Sequence, residues 1–435
     1  MKKSVAIFIL ILSIFFAAAD LRAQQGFVTV QNHQFFLNGK PYYYTGANYW
    51  YAGLLALQPD DQRGIRCLKQ ELDFLKSNGV SNLRVLGAVE GSGQIQAVQR
   101  VQPALQPLNG QFDTTVIRAM DLLLAEMAKR DMKAVIYLSN NWEWSGGFLQ
   151  YLNWNGKLAD SSLHKKLSWD ALRDEVSGFY SCMPCIDGYL KQVAQLVNRV
   201  NTVSGRKYSD DPAIMGWELA NEPRPMRAAA DRAYLDWIKQ ASGFIRRLDA
   251  NHLITTGSEG EMGTESMDLF RETHALPDVD YLTIHIWPKN WGWFQPATMK
   301  ENLPVVLDRT LSYIGRHDSI ARLLNKPLVI EEFGLPRDGH SFDPTSTTVL
   351  RDSYFKAIFE LLEKNARTNG VIGGLNFWSF AGLARPIPGQ TFWKEGDDYT
   401  GDPPMEEQGL NSVFDRDKST WNIIKKTKTK AGTKP

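Results

Sequence analysis

Eight short apolar segments, each separated from the next by a longer amphipathic stretch, constrain this chain more than any other feature. They read YYYTGANY (42–49), NLRVLG (82–87), KAVIYLS (133–139), AIMGWELAN (213–221), HLITTG (252–257), VDYLTIH (279–285), KPLVIEEF (326–333) and IGGLNFWSF (372–380). Helical patterns lie between most of them. In residues 67–79, Leu68, Leu72 and Leu75 share one face and Gly79 ends the run, and residues 116–131 and 350–366 behave the same way. Strands that are nearly continuous apolar runs, alternating with helices, imply a parallel sheet covered on both faces. Eight such units predict an α/β fold of the closed (β/α)8 TIM-barrel type. An open dinucleotide-binding sheet should carry GxGxxG after its first strand, and none follows residues 42–49. Two excursions, at about residues 140–210 and 380–415, follow strands and so give long loops on the C-terminal face. The opening stretch FVTVQNHQFFLNGKPY predicts a hairpin over the other end.

Charge excludes several partners. Lys plus Arg is 49 against 48 Asp plus Glu, a formal charge of +1, which leaves no footprint for nucleic acid or an anionic membrane surface. Residues 1–23 pair Lys2 and Lys3 with an apolar stretch from Ser4 to Ala19, and Ala23 precedes Gln24. That stretch falls short of the ~20 residues needed to span a bilayer, so it reads as a cleaved signal peptide. The expected organisation is a leader at 1–23, one catalytic domain at 24–425 and a basic tail at 426–435 that frays. The mature protein is expected to be secreted or periplasmic, monomeric and off the membrane. Cys182 and Cys185 form CxxC without a strand before them and without a second pair to complete a zinc site. In an exported protein they read as a local disulfide or inert thiols.

Polar residues gather at the ends of the predicted strands. Arg84 ends the second, Asn140, Asn141 and Trp142 the third, Asn221 and Glu222 the fourth, His285 and Trp287 the sixth, Glu332 the seventh and Trp378 the eighth. A buried carboxylate is costly unless it is paired or functional. Two of them at one barrel mouth are what acid-assisted cleavage of a glycosidic bond requires, although either Glu alone also reads as an ion-pair partner of Arg84. Trp142, Trp287, Trp291, Trp293 and Trp378 lie at or beyond strand ends and are groove candidates, whereas Trp50, Trp217 and Trp237 read as core. Glu259 and Glu261 read equally as substrate contacts or as a solvated loop. His164, His274 and His340 show no ligand spacing, so neither metal nor cofactor is expected.

WELANEPRP (217–225), VIEEFG (329–334), the 283–294 segment with its HIWPKNWGWF, and GLNFWSFAG (374–382) resemble glycoside hydrolase family five. Within it they most resemble the endo-β-1,4-mannanases (mannan endo-1,4-β-mannosidases) of its seventh subfamily, over residues 27–425. The resemblance implies a retaining endo-mannanase acting on mannan, glucomannan or galactomannan. It carries the acid/base onto Glu222, the nucleophile onto Glu332, and substrate or supporting contacts onto Arg84, Asn141, Trp142, Asn221, His285, Trp287 and Trp378. The family usually has Tyr where this chain has Trp287, which can donate a hydrogen bond but not accept one. Two further expectations follow. Proximity to Glu332 should raise Glu222 above the ordinary Glu range, and strand alternation should turn Glu331 outward to the helices, opposite Glu332. The alternatives are another family-five specificity, either a β-1,4-glucanase or an exo-acting β-mannosidase, and a carbohydrate-binding barrel without catalysis.

Overall fold

The computed structural model describes residues 26–57 and 63–431, so the leader expected at 1–23 lies outside the described residues. The eight apolar segments become eight parallel strands: β1 (Tyr44–Asn48), β2 (Asn82–Leu86), β3 (Lys133–Tyr137), β4 (Ile214–Glu218), β5 (Leu253–Thr255), β6 (Leu282–Ile286), β7 (Leu328–Phe333) and β8 (Ile372–Phe377). A hydrogen-bonded ladder runs unbroken from β5 through β4, β3, β2, β1, β8 and β7 to β6. The eight-stranded barrel expected from the alternation is what the chain builds.

Between β5 and β6 no main-chain ladder forms among the described residues. Single bonds close that seam instead: Asp280 N–H to Ile254 O at 2.8 Å, Ile254 N–H to Asp280 Oδ2 at 2.7 Å, Thr255 Oγ1 to Tyr281 O at 3.0 Å, Thr283 Oγ1 to Ser258 O at 3.0 Å and His285 N–H to Glu259 O at 3.1 Å.

One long helix follows each strand: α1 (Arg63–Ser77), α2 (Thr114–Ala128), α3 (Met183–Val197), α4 (Asp231–Leu248), α5 (Met267–Ala275), α6 (Met299–Leu324), α7 (Val349–Thr368) and α8 (Lys418–Ala431). Leu68, Leu72 and Leu75 of α1 are all fully buried, as their spacing predicts. Asp113 caps α2 by accepting from Thr115 N–H and Val116 N–H. Helix α8 runs through residues 426–431, the beginning of the segment expected to fray. Cys182 and Cys185 are joined by a disulfide at the start of α3, and Cys67 is a free thiol.

The opening hairpin, Val28–Gln31 with Gln34–Leu37, plugs the bottom of the barrel. Its Val28 and Phe35 pack with Tyr44, Val135, Met215, Leu253, Tyr281 and Val329 in one buried cluster. Among the described residues no helix is long and apolar enough to cross a membrane.

Strand β7 departs from simple alternation. Against β6 its register runs Ile284 with Ile330 and then His285 with Glu332, so Glu331 is skipped as a bulge. Val329 below the bulge faces the inner cluster. Phe333 above it packs outward on Phe355 and Phe359 of α7, with ring centroids 5.1 and 5.9 Å away. The extra residue lets Glu331 and Glu332 both point inward. Glu331 Oε2 lies 3.7 Å from Arg84 Nε and 3.6 Å from His285 Nε2. The expectation that Glu331 faces the helices is therefore wrong, because the bulge resets the two-residue period at that position.

Candidate active site

Arg84, fully buried on β2, organises the mouth of the barrel. It donates to Glu218 from Nε at 2.8 Å and from Nη2 at 2.6 Å, to Asn48 Oδ1 at 3.0 Å, to Asn221 Oδ1 at 2.7 Å, and to Glu332 Oε1. Its guanidinium also covers the Tyr137 ring at 4.6 Å. A guanidinium can meet this many acceptors only because its five N–H groups diverge in a fixed plane. Room for the Glu218 carboxylate comes from Gly257 after β5, at φ +77°. A side chain there would collide with Glu218 Oε1 and Ala220 O.

Glu222 stands just past the end of β4 in the left-handed region, at φ +51°, an uncommon conformation for a residue with a side chain. Its N–H donates to Gly257 O at 3.0 Å, which fixes the turn. The carboxylate accepts from Trp142 Nε1 at 2.5 Å and meets His285 Nδ1 at 2.8 Å. Glu332 accepts from Trp287 Nε1 at 3.0 Å as well as from Arg84. His285 Nδ1 is also 3.4 Å from Glu332 Oε2. One atom each from Glu222, His285 and Glu332 lie within 4.8 Å of one another.

Four buried carboxylates, Glu218, Glu222, Glu331 and Glu332, thus surround two cationic side chains. Burial opposes a charge on His285, but Glu332, Glu222 and Glu331 outweigh it and lift the imidazole to about 10. Burial raises Glu332 to about 7 against the pull of His285 and Arg84, and raises Glu218 to about 8 against that of Arg84. Burial pushes Glu222 the same way, but the hydrogen bond and charge of His285, with Arg224 and Trp142, hold it below the ordinary range. The raised Glu222 expected from the sequence is reversed because the imidazolium lies closer to Glu222 than to Glu332.

Taken alone, these three side chains are close enough to hold a cation. The donors present do not favour one. Arg84 and Trp287 already donate to the two oxygens of Glu332, Trp142 and an imidazolium to the two of Glu222, and a protonated His has no lone pair to offer.

Over these groups lies a cavity of ≈ 340 Å³ whose lining includes Trp142, Asn221, Glu222, Trp287, Glu332 and Trp378. Trp287 and Trp378 meet edge to face at 5.7 Å, and Trp378 Nε1 has no hydrogen-bond partner among the described residues. Trp291 lines the cavity, while Trp293 packs behind it with ring centroids 5.1 Å apart. Trp50, Trp217 and Trp237 are buried, as expected of core.

Asn141 is buried but does not line the cavity. Its Oδ1 accepts from Arg224 N–H at 3.4 Å, so it supports the loop after Glu222. Glu259 lines the cavity paired to Arg224 at 2.5 Å, whereas Glu261 pairs with Arg316 at the surface. Sequence reasoning missed Glu218, Arg224, Trp144, Trp169, Asn290, Met405 and Glu406, all but the first of which line the cavity. Only Glu218 carried a usable signal, since it is a charged residue inside an otherwise apolar strand.

A parallel barrel whose C-terminal mouth sets two carboxylates among tryptophans, with an arginine beneath them, defines a glycoside hydrolase. Residues 25–434 match the model of the "GH family 5 beta-mannosidase-like" proteins, and the chain belongs to that family. It is 29% identical over 393 residues to a putative mannan endo-1,4-beta-mannosidase 4 of Arabidopsis thaliana, covering 85% of this chain and 88% of that one. The family 5 mannosidase of Rhizomucor miehei superposes with a TM-score of 0.84 at 30% identity, covering 94% of this chain and 98% of that one. The endo-1,4-beta-mannanase of the same organism shares the fold at a TM-score of 0.66 and 23% identity, covering 94% and 100%.

Proposed function

We propose that this chain hydrolyses internal β-1,4-mannosidic bonds of mannan, glucomannan or galactomannan with retention of anomeric configuration. The observation that carries the mechanism is the spacing of Glu222 and Glu332, with oxygens within 4.8 Å. Retaining glycosidases hold their carboxyl groups about 5–5.5 Å apart, and inverting ones about 6.5–9.5 Å apart to admit a water.

Glu332 is the nucleophile. Arg84 and Trp287 donate to its two oxygens, which orients the carboxylate and supports its charge before attack. Glu222 is the acid/base. Its proton is drawn from the pair it forms with His285, whose Nδ1 is 2.8 Å away. Attack by Glu332 breaks the glycosidic bond while Glu222 protonates the leaving oxygen. Water, deprotonated by Glu222, then releases the sugar from Glu332. Asn221, fixed between Arg84 and Asn140, and the Trp378 ring position the sugar. Export through residues 1–23 and action as a monomer belong to the same proposal.

A second reading is cleavage from chain ends. It is favoured by Met405 and Glu406, which the 380–415 excursion sets against the cavity, and by the likeness to a mannosidase. Mannohexaose separates the readings. Early release of mannobiose and mannotriose supports internal cleavage, and mannose alone supports chain-end action. Proton NMR during the first turnovers should show the β-anomer. The α-anomer would overturn retention.

A further inference from the structure

Beside the catalytic cavity lies a second, larger cleft of ≈ 850 Å³. Trp169 and Met405 line both, so the two spaces share a wall. Trp169 is 49% exposed and stacks on Trp142 with centroids 6.2 Å apart and planes 27° apart. Trp142 in turn donates to Glu222. Across the cleft the 389–395 segment presents Phe392, 52% exposed. Two half-exposed aromatic rings in one concavity leave apolar faces in water that a flat ligand would cover.

The polar lining fits the same kind of ligand. A small hairpin pairs Gln94–Ile95 with Val98–Gln99, and Gln94 lies directly opposite Gln99, so both amides stand on one face. Neither side-chain amide bonds to another described residue. By contrast, Gln96 of the same turn is spent on Ser162 O and Leu163 O. Each free amide offers two donors and an acceptor, the pattern that vicinal sugar hydroxyls match. Glu143 also lines the cleft, and its buried Oε2 lacks a partner among the described residues.

We infer that this cleft is an additional carbohydrate-binding site that takes mannan residues beyond those held at Glu222 and Glu332, with the chain passing over Trp169. The inference rests on the mannan reading above. The test compares kcat/KM for mannotriose and mannohexaose in the wild type, in Gln94→Ala/Gln99→Ala and in Phe392→Ala. All three positions are at least partly exposed, and thermal unfolding checks that the fold persists. Loss of one or two such contacts should lower the rate on mannohexaose about tenfold and leave mannotriose within about twofold. Equal losses on both substrates, or no loss on either, would overturn the inference. A wild type inactive on both would instead refute the mannan reading itself.

Discussion

The bulge at Glu331 makes a quantitative claim about pH that Glu331→Gln will check. Glu331 Oε2 lies 3.6 Å from His285 Nε2, and neither of its oxygens has a hydrogen-bond partner among the described residues. Its influence on the site is therefore mainly that of a charge. At an effective dielectric of about 20, unit charges at that distance interact by about 4–5 kcal/mol. This corresponds to at most about three pH units in the titration of His285. The imidazole now held at about 10 should fall toward the neutral range once the carboxylate is made an amide of the same shape. Because Glu222 draws its proton from His285, the alkaline limb of the kcat/KM profile should move down by one or more units. Stability should not suffer, since the change removes one of four carboxylates facing two cations. The assay is a pH–rate profile on mannohexaose, with imidazole signals followed by NMR. An alkaline limb within half a unit of the wild type would refute the account. So would a Glu331→Gln protein that loses cooperative unfolding.

The two adjacent glutamates should also fail differently. Glu332→Ala should fold, lose nearly all turnover and be partly rescued by azide to give an α-mannosyl azide from an activated β-mannoside, and rescue of Glu331→Ala instead would exchange their roles. His285→Asn removes the charge that holds both Glu222 and Glu332 down. Both should rise, so the acid limb of the profile, which requires ionised Glu332, should move to higher pH; a shift to lower pH contradicts the assigned contacts. Trp287→Phe deletes the donor to Glu332 Oε2 while keeping a ring against Trp378, and should cost about tenfold in kcat at constant Tm. Far from the site, Asp121 accepts from Arg199, Thr202 and Tyr208, which hold its pKa below the ordinary range. Its stabilisation should be full above about pH 4 and fade as pH falls through the folded-state value. Asp121→Ala should cost about 3 kcal/mol in urea unfolding at pH 7.

The barrel was legible because a strand covered on both faces leaves an unbroken apolar run, and eight such runs admit few architectures. Glu222 and Glu332 stood out as acids at the ends of those runs. What alternation could not reveal was the side on which Glu331 falls. A bulge is a property of two strands in register, and the sequence of β7 alone holds only one of them. Reversal of the Glu222 titration was hidden for a similar reason. It depends on His285, 63 positions away, lying nearer one carboxylate than the other. Met405 and Glu406 come from an excursion with no periodic pattern, so nothing local marks them as facing the cavity. Trp169 sits on a short helix whose composition is that of any surface helix.

The seam between β5 and β6 bears on how the enzyme dies. Elsewhere around the barrel a ladder of main-chain bonds shares any load among several residues. Here the edge is stitched by isolated bonds, three of them from the side chains of Asp280, Thr255 and Thr283. Local opening follows the least-connected boundary of a structure, so the barrel should unzip there first. His285 stands on the strand bordering that boundary, tied across it through Glu259 O. Small excursions of the seam would carry the imidazole away from Glu222 while the other seven strands stay paired. Heating should therefore silence turnover several degrees before circular dichroism registers any loss of structure, and deuterium should enter the amides of residues 282–286 earlier than those of β2 or β3.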